Sequence, residues 1–109
     1  MDEVWEAIAG RVGDDLRVVT RYDGTDFEVR MRGDVRELYD ADDDREVVDA
    51  TIVDQLRLAD TGEVFEAGRL HAVVRVFDEA WVLSSPDGRG GKSGFIVSVQ
   101  RGGDVFRDD

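Results

Sequence analysis

The feature that most constrains the fold is a β-hairpin predicted around Asp23-Gly24. Two runs of alternating apolar and polar residues flank this dipeptide within residues 16–32. Asp-Gly is typical of a two-residue type I′ turn, so we expect Tyr22 to pair with Thr25. Apolar side chains then fall on one face, which supports the register independently of the turn. The predicted opposing pairs are Thr20–Phe27, Val18–Val29 and Leu16–Met31.

The other face of this hairpin is predicted to carry an arginine cluster, defined as Arg17, Arg21, Arg30 and Arg32. In the predicted register Arg21 pairs with Asp26, and Arg17 lies directly across from Arg30. Like charges that oppose each other across two strands are destabilising, so we expect an anionic group nearby. Acidic residues of a covering helix are one source of that group. The other is an acidic partner or an anionic ligand, which makes the cluster a candidate docking patch.

The rest of the chain alternates between helical and strand patterns. An amphipathic helix is predicted over residues 2–12 and ends at Gly13. Residues 34–58 predict two helical pieces. Asp43 is predicted to cap the second piece, with Glu46 three residues later, and its buried stripe holds Val48, Ile52, Gln55 and Leu56. Strands are predicted over residues 70–77 and 80–85 around an Asp78-Glu79 turn, which pairs Val76 with Trp81 and Val74 with Leu83. A last strand contains Phe95, Val97 and Val99.

These elements predict a single α+β domain over residues 1–101, with a loose polar tail over residues 102–109. We expect a five-stranded, mostly antiparallel sheet with helices packed on it, in the order α-β-β-α-α-β-β-β. The connector over residues 59–68 is predicted to hold at most one helical turn, around Val64 and Phe65. Residues 86–93 are predicted to form a loop from their Pro and Gly content.

Charge excludes several classes of function. Asp and Glu number 26 against 14 Arg and Lys, and the formal net charge is −12. Such a surface repels nucleic acids and anionic membranes. Lys92 is the only lysine. An acidic surface with so little lysine favours a halophilic protein, because molar salt screens the self-repulsion and leaves diffuse cations at the surface.

The location predicted from the sequence is the cytoplasm. The chain has no cysteine, which excludes disulfides and thiolate chemistry. Its first ten residues are acidic and amphipathic, unlike a signal peptide, which starts with basic residues and continues with an apolar run. No segment approaches the ~20 apolar residues of a membrane span.

No motif in the chain predicts a catalytic residue, a metal site or a cofactor. Gly91-Lys92-Ser93 lacks the upstream Gly of a phosphate-binding loop and precedes a predicted strand. Asp40, Asp42 and Asp44 have the spacing that opens a calcium loop, but the required Gly and Glu are missing. The single histidine, His71, is predicted to be a structural or surface residue on the third strand, with Ser84 and Ser85 as candidate neighbours.

The order of elements resembles that of roadblock and longin-like domains, which add a C-terminal helix that we expect to be missing or removed here. Three strand phrases also resemble a group of small haloarchaeal proteins of unknown function. They are residues 15–20, 74–77 and 94–99. The resemblance implies a fold and no activity, because all three phrases are structural strands.

We therefore predict a non-enzymatic adaptor or regulatory module, because the chain offers no group for chemistry. Roadblock-like domains commonly pair, so a homodimer or another protein partner is expected. The second strand, over residues 26–32, is predicted to be the exposed edge that pairs. The alternative is a sensing domain that binds a small anionic molecule near Arg17 and Arg30. An enzyme is the third hypothesis, and it would depend on carboxylates that the sequence does not single out.

Overall fold

Five antiparallel strands form one sheet in the spatial order β2-β1-β5-β4-β3. The computed structural model describes residues 1–58, 66, 68–87 and 92–101. The helices are α1 (Asp2–Val12), α2 (Gly33–Arg36) and α3 (Ala41–Leu58), and a 3₁₀ turn at Gly13–Asp15 joins α1 to the sheet. The strands are β1 (Leu16–Asp23), β2 (Asp26–Met31), β3 (Val73–Val76), β4 (Ala80–Pro86) and β5 (Ser93–Gln100). The predicted α+β class and order of elements are confirmed.

The first hairpin forms where it was predicted, but its register is two residues away from the predicted one. Asp23 pairs with Asp26 and Tyr22 with Phe27, so the turn residues are Gly24 and Thr25. This register makes Gly24 the first central residue of the turn. Its φ of 61° is the positive value that a type II′ turn requires at that position. A shift of two residues keeps every side chain on its expected face, so the hydrophobic pattern cannot distinguish the two registers.

The second hairpin has the predicted register. Val76 pairs with Trp81 and Val74 with Leu83, and the Phe77 amide donates to the Ala80 carbonyl oxygen across the turn. β3 starts at Val73 instead of residue 70. Continued pairing would bring residue 71 opposite Pro86, which has no amide hydrogen to donate to the ladder. His71 therefore lies before the third strand and not on it.

Helix α1 covers one side of the sheet, which we name the α1 face. The predicted boundaries are confirmed, and Gly13 ends the helix with a φ of 63°. The stripe that contains Val4, Trp5 and Ile8 is half-buried, whereas the rest of the helix is mostly exposed. Among the strands its main contact is with β1, where Val19 is completely buried. Helix α1 therefore covers the β1–β2 half of this face.

Helix α3 begins at Ala41, earlier than predicted. Asp40 and Asp43 cap it reciprocally. The Asp43 amide donates to the Asp40 carboxylate at 2.9 Å, and the Asp40 amide donates to the Asp43 carboxylate at 3.0 Å. The capping residue is thus Asp40 and not Asp43, and Asp43 instead supplies the second carboxylate of the reciprocal box.

The main core lies between α3 and the opposite side of the sheet, the α3 face. Tyr22, Val48 and Ile96 are buried there, and Phe27, Ile52 and Val82 pack around them. Buried positions on α3 are Asp44, Val48 and Thr51. Leu56 was predicted in the buried stripe but is 51% exposed, because the stripe that meets the sheet continues from Thr51 to Gln55 instead.

Some predictions fall outside the described residues. They are the helical turn around Val64 and Phe65, the polar tail over residues 102–109, and residues 88–91 of the loop between β4 and β5. The domain boundary at residue 101 consequently stays a prediction. Within the described part of the chain, no helix is long and apolar enough to cross a membrane.

Candidate interaction site

The α1 face of the sheet contains two of the predicted arginines, and α1 neutralises one of them. The Arg30 guanidinium lies 3.1 Å from an Asp2 carboxylate oxygen and 3.7 Å from a Glu6 oxygen. It also stacks over the Trp5 ring, 4.7 Å from the ring centroid, in a cation–π contact. Arg21 is exposed on the same face and opposes Glu28 instead of the predicted Asp26. A covering helix was one predicted source of the anion, and at Arg30 the anion comes from α1.

Arg32 is engaged at the end of β2. Its guanidinium donates to both Asp34 carboxylate oxygens, at 2.6 and 3.0 Å, and to the Asp14 carbonyl oxygen at 2.7 Å. A further bond reaches Gln100 at 3.2 Å. The hydrogen bond with Asp34 is the main reason that the pKa of Arg32 is raised and that of Asp34 is lowered.

Arg17 does not lie opposite Arg30, because β1 and β2 pair two residues away from the predicted register. Arg30 opposes Val19, and the Arg17 carbonyl oxygen accepts the Arg32 amide at 2.8 Å. Arg17 lies in a shallow depression with Phe77, Glu79 and Ala80. It is also the residue at which a β-bulge interrupts the pairing of β1 with β5. The arginine cluster is therefore spread over separate environments and does not converge on one open anion site.

The other half of the α1 face forms an uncharged surface, which we name the open face. Its eight positions alternate along β3, β4 and β5 and oppose one another in the ladder. At the chain's 37% frequency of charged residues, about three of eight positions would be charged. None is. The open face consists of Val74, Val76, Trp81, Leu83, Ser85, Phe95, Val97 and Val99.

Much of the open face is accessible to solvent. Val74 is 53% exposed, Val76 42% and Leu83 37%, and Trp81 and Val97 are half-buried. Contiguous apolar surface of this kind marks an interaction site, whereas single exposed apolar residues need no explanation. The open face is thus the strongest candidate site in the described residues. Its alternation is visible in the sequence, but the sequence does not show which half of the sheet α1 covers.

A polar cluster lies on the α3 face near the end of β1. The Tyr22 hydroxyl donates to Gln55, the Gln55 side-chain amide donates to the Ser93 carbonyl oxygen at 3.4 Å, and the Ser93 hydroxyl donates to Asp87 at 2.5 Å. Burial raises the pKa of Tyr22, and the nearby Asp87 carboxylate raises it further. The phenol is therefore held neutral by its surroundings and acts as a hydrogen-bond donor that ties α3 to the sheet.

The three sequence motifs have structural positions. β5 begins at Ser93, the last residue of the predicted loop, and a strand follows as predicted, so no helix N-terminus follows Gly-Lys-Ser. Asp44 is buried and pairs with Arg36 at 3.1 Å, which accounts for one carboxylate of the calcium-like spacing. The His71 carbonyl oxygen accepts the Ser85 hydroxyl at 3.3 Å, and the imidazole is exposed. No cluster of three or more metal-ligating side chains occurs among the described residues.

Comparison with known proteins gives a family without an assigned activity. Neither the curated proteins nor the solved structures contain a match. A family model described as a domain of unknown function (DUF7522) matches residues 2–108, which is nearly the whole chain and includes every helix and strand described above. The chain belongs to the DUF7522 family.

Proposed function

We propose that this chain is a non-enzymatic protein-interaction module that pairs with a second copy of itself through the open face. The observation that carries the proposal is the complete lack of charge at eight neighbouring sheet positions in a chain where 37% of residues are charged. Three of these apolar side chains are more than one-third exposed. Burying them against a partner is favourable because it removes apolar area from water.

The lack of charge on the open face permits a second copy to occupy it. Each copy carries a net charge of −12, so two copies repel wherever their acidic surfaces meet. The open face is a region where two copies can approach without opposing like charges. A twofold interface also requires a surface that is complementary to itself, and an uncharged face meets the electrostatic part of this condition.

The two edge strands support pairing on the β3 side of the sheet. β2 is an edge of the sheet, as predicted, but it carries Asp26, Glu28 and Arg30. Charged side chains on an edge oppose the addition of another strand. β3, the other edge, reads Val-Val-Arg-Val, and it contributes Val74 and Val76 to the open face. The proposal therefore moves the interface from the β2 edge, which the sequence favoured, to the β3 side.

A matched pair of substitutions tests the proposal. Val74 and Val53 are valines of similar exposure, 53% and 56%, on the open face and on α3 respectively. We expect the unchanged protein to be a dimer in sedimentation equilibrium and Val74→Asp to be a monomer, because a buried unpaired carboxylate opposes association. Val53→Asp should stay dimeric. Circular dichroism of both variants establishes that they are folded.

Two results would overturn this function. One is a monomeric unchanged protein at submillimolar concentration. The other is dimerisation that both aspartate variants retain, which would place the interface elsewhere.

We also propose that the protein works in a salt-rich cytoplasm. Support comes from the composition: the chain has 26 acidic residues and 14 cationic ones, and only one of the cationic residues is a lysine. In molar salt the screening length falls to ~3 Å, so repulsion between surface carboxylates is suppressed. The same screening permits two strongly acidic copies to associate, and the proposed dimer is consistent with such a solvent.

A further inference from the structure

A cleft of about 180 Å³ lies on the α3 face, between the end of α3 and the strands β3 and β4. Its walls are mostly carbon, and the apolar lining residues are Leu56, Leu58, Leu70, Val73 and Pro86. An apolar cavity of ~150 Å³ is large enough to accept benzene. The cleft can therefore hold a ring or a short branched chain of similar size.

The charged residues that line this cleft have the opposite balance to the molecule as a whole, with more cationic than acidic side chains. Two guanidinium groups, Arg69 and Arg75, line the cleft with one carboxylate, Asp54. Asp54 already accepts from Arg75 and lies 3.1 Å from Arg57, so its charge is shared by two cations. Arg69 has no ion pair within the described part of the chain. A chain with 26 acidic and 14 basic residues thus presents a local excess of positive charge beside an apolar space.

We propose that this cleft binds a small monocarboxylate with an apolar body of about the size of a benzene ring. The apolar part would occupy the space between Leu70, Val73 and Leu56, and the carboxylate would bind Arg69. Guanidinium groups bind carboxylates through charge-assisted hydrogen bonds, and the apolar walls add affinity by removing the body of the ligand from water. The sequence placed an anion site at Arg17 and Arg30, on the α1 face, whereas this site lies on the α3 face.

Phenylacetate is a suitable probe, and phenylacetamide is its neutral control of nearly the same shape. Titration of ¹⁵N-labelled protein with each compound, followed by amide chemical shifts, measures both affinity and location. We expect phenylacetate to shift the amides of Leu70, Val73 and Ser84 and to bind more tightly than phenylacetamide. Arg69→Gln should weaken phenylacetate binding about fivefold, the scale of one exposed charge pair. Arg21→Gln, on the opposite side of the sheet, should leave it unchanged.

The site is wrong if phenylacetate shifts no amides at the cleft, or if Arg69→Gln and the unchanged protein bind it equally. Equal binding of phenylacetate and phenylacetamide would also overturn it, because the ligand class is defined by the carboxylate. The titration is independent of the proposed dimer, since the open face lies across the sheet. The Val74→Asp variant should bind phenylacetate as the unchanged protein does.

Discussion

The two halves of the α1 face are built on different principles. In the β1–β2 half, most side chains on this face are charged, and α1 buries Val19 and supplies Asp2, Glu6 and Trp5 to Arg30. In the β3–β5 half no residue is charged, and Val74, Val76 and Leu83 are exposed to solvent. One half is completed by the chain's own helix. The other, we propose, is completed by a second copy, so the same sheet serves both folding and association.

Lowering the salt concentration is expected to have the largest effect, because it should destabilise the charged and the uncharged parts of the molecule to different extents. Between molar and 0.01 M salt the screening length grows from ~3 Å to ~30 Å, so a net charge of −12 repels itself across the whole domain. We expect helical circular dichroism to fall as salt is removed, with α1 and the acidic start of α3 affected before the uncharged strands. Amide hydrogen exchange would resolve that order. A spectrum unchanged from molar to millimolar salt would contradict the halophilic proposal.

Gly94, where β5 pairs with β1 on one side and with β4 on the other, is the next most sensitive position. A Cβ atom at Gly94 would overlap the Ser85 carbonyl oxygen and lie 2.9 Å from the Tyr22 hydroxyl. We expect Gly94→Ala to cost about 2–3 kcal/mol of unfolding free energy in a denaturant titration, because backbone and buried side chain must both shift. Gly10 in α1 has no neighbouring atom within 4 Å of such a Cβ. Gly10→Ala should instead stabilise the fold by about 1 kcal/mol, through helix propensity.

An equal change in unfolding free energy for Gly94→Ala and Gly10→Ala would contradict this prediction. It would show that the close approach of Gly94 to Tyr22 and Ser85 does not constrain the residue at this position.

Removing the charge of Arg30 should have the smallest effect of the three. The side chain is partly exposed, so the loss of its ion pairs and its stacking on Trp5 is expected to cost about 1 kcal/mol. Arg30→Gln, measured by thermal unfolding, should destabilise the fold more than Arg21→Gln, because Arg21 is exposed and its neighbours in the ladder are Glu28 and Phe95. Identical melting temperatures for the two variants would mean that α1 is held to the sheet by apolar contacts alone.

The two hairpins show what the sequence could establish about the fold. At Asp78-Glu79 the turn and the apolar pattern define one register, and the structure has that register. At the first turn the glycine can occupy either central position. The two resulting registers differ by two residues and bury the same side chains, so the sequence could not choose between them.

The candidate site was less predictable than the fold. Strand alternation shows which residues of β3, β4 and β5 share a face, but it does not show which half of the sheet a helix covers. Arg30 looked available because Asp2 and Glu6, which neutralise it, are more than twenty residues earlier in the chain. The cleft at Arg69 could not be predicted either, because its walls come from parts of the chain that are distant in sequence. They are the end of α3 and the strands β3 and β4.

The position of β5 in the sheet has a consequence for the time course of folding. β5 is the central strand, and it joins the hairpin of β1 and β2 to the hairpin of β3 and β4. Its partners in β1 lie about 70–80 positions earlier in the chain, so their meeting requires a large loop to close before any contact between them forms. Each hairpin can form early from local contacts. During synthesis, the hairpin of β1 and β2 and the hairpin of β3 and β4 therefore keep their apolar faces unpaired until β5 has been made and joins them.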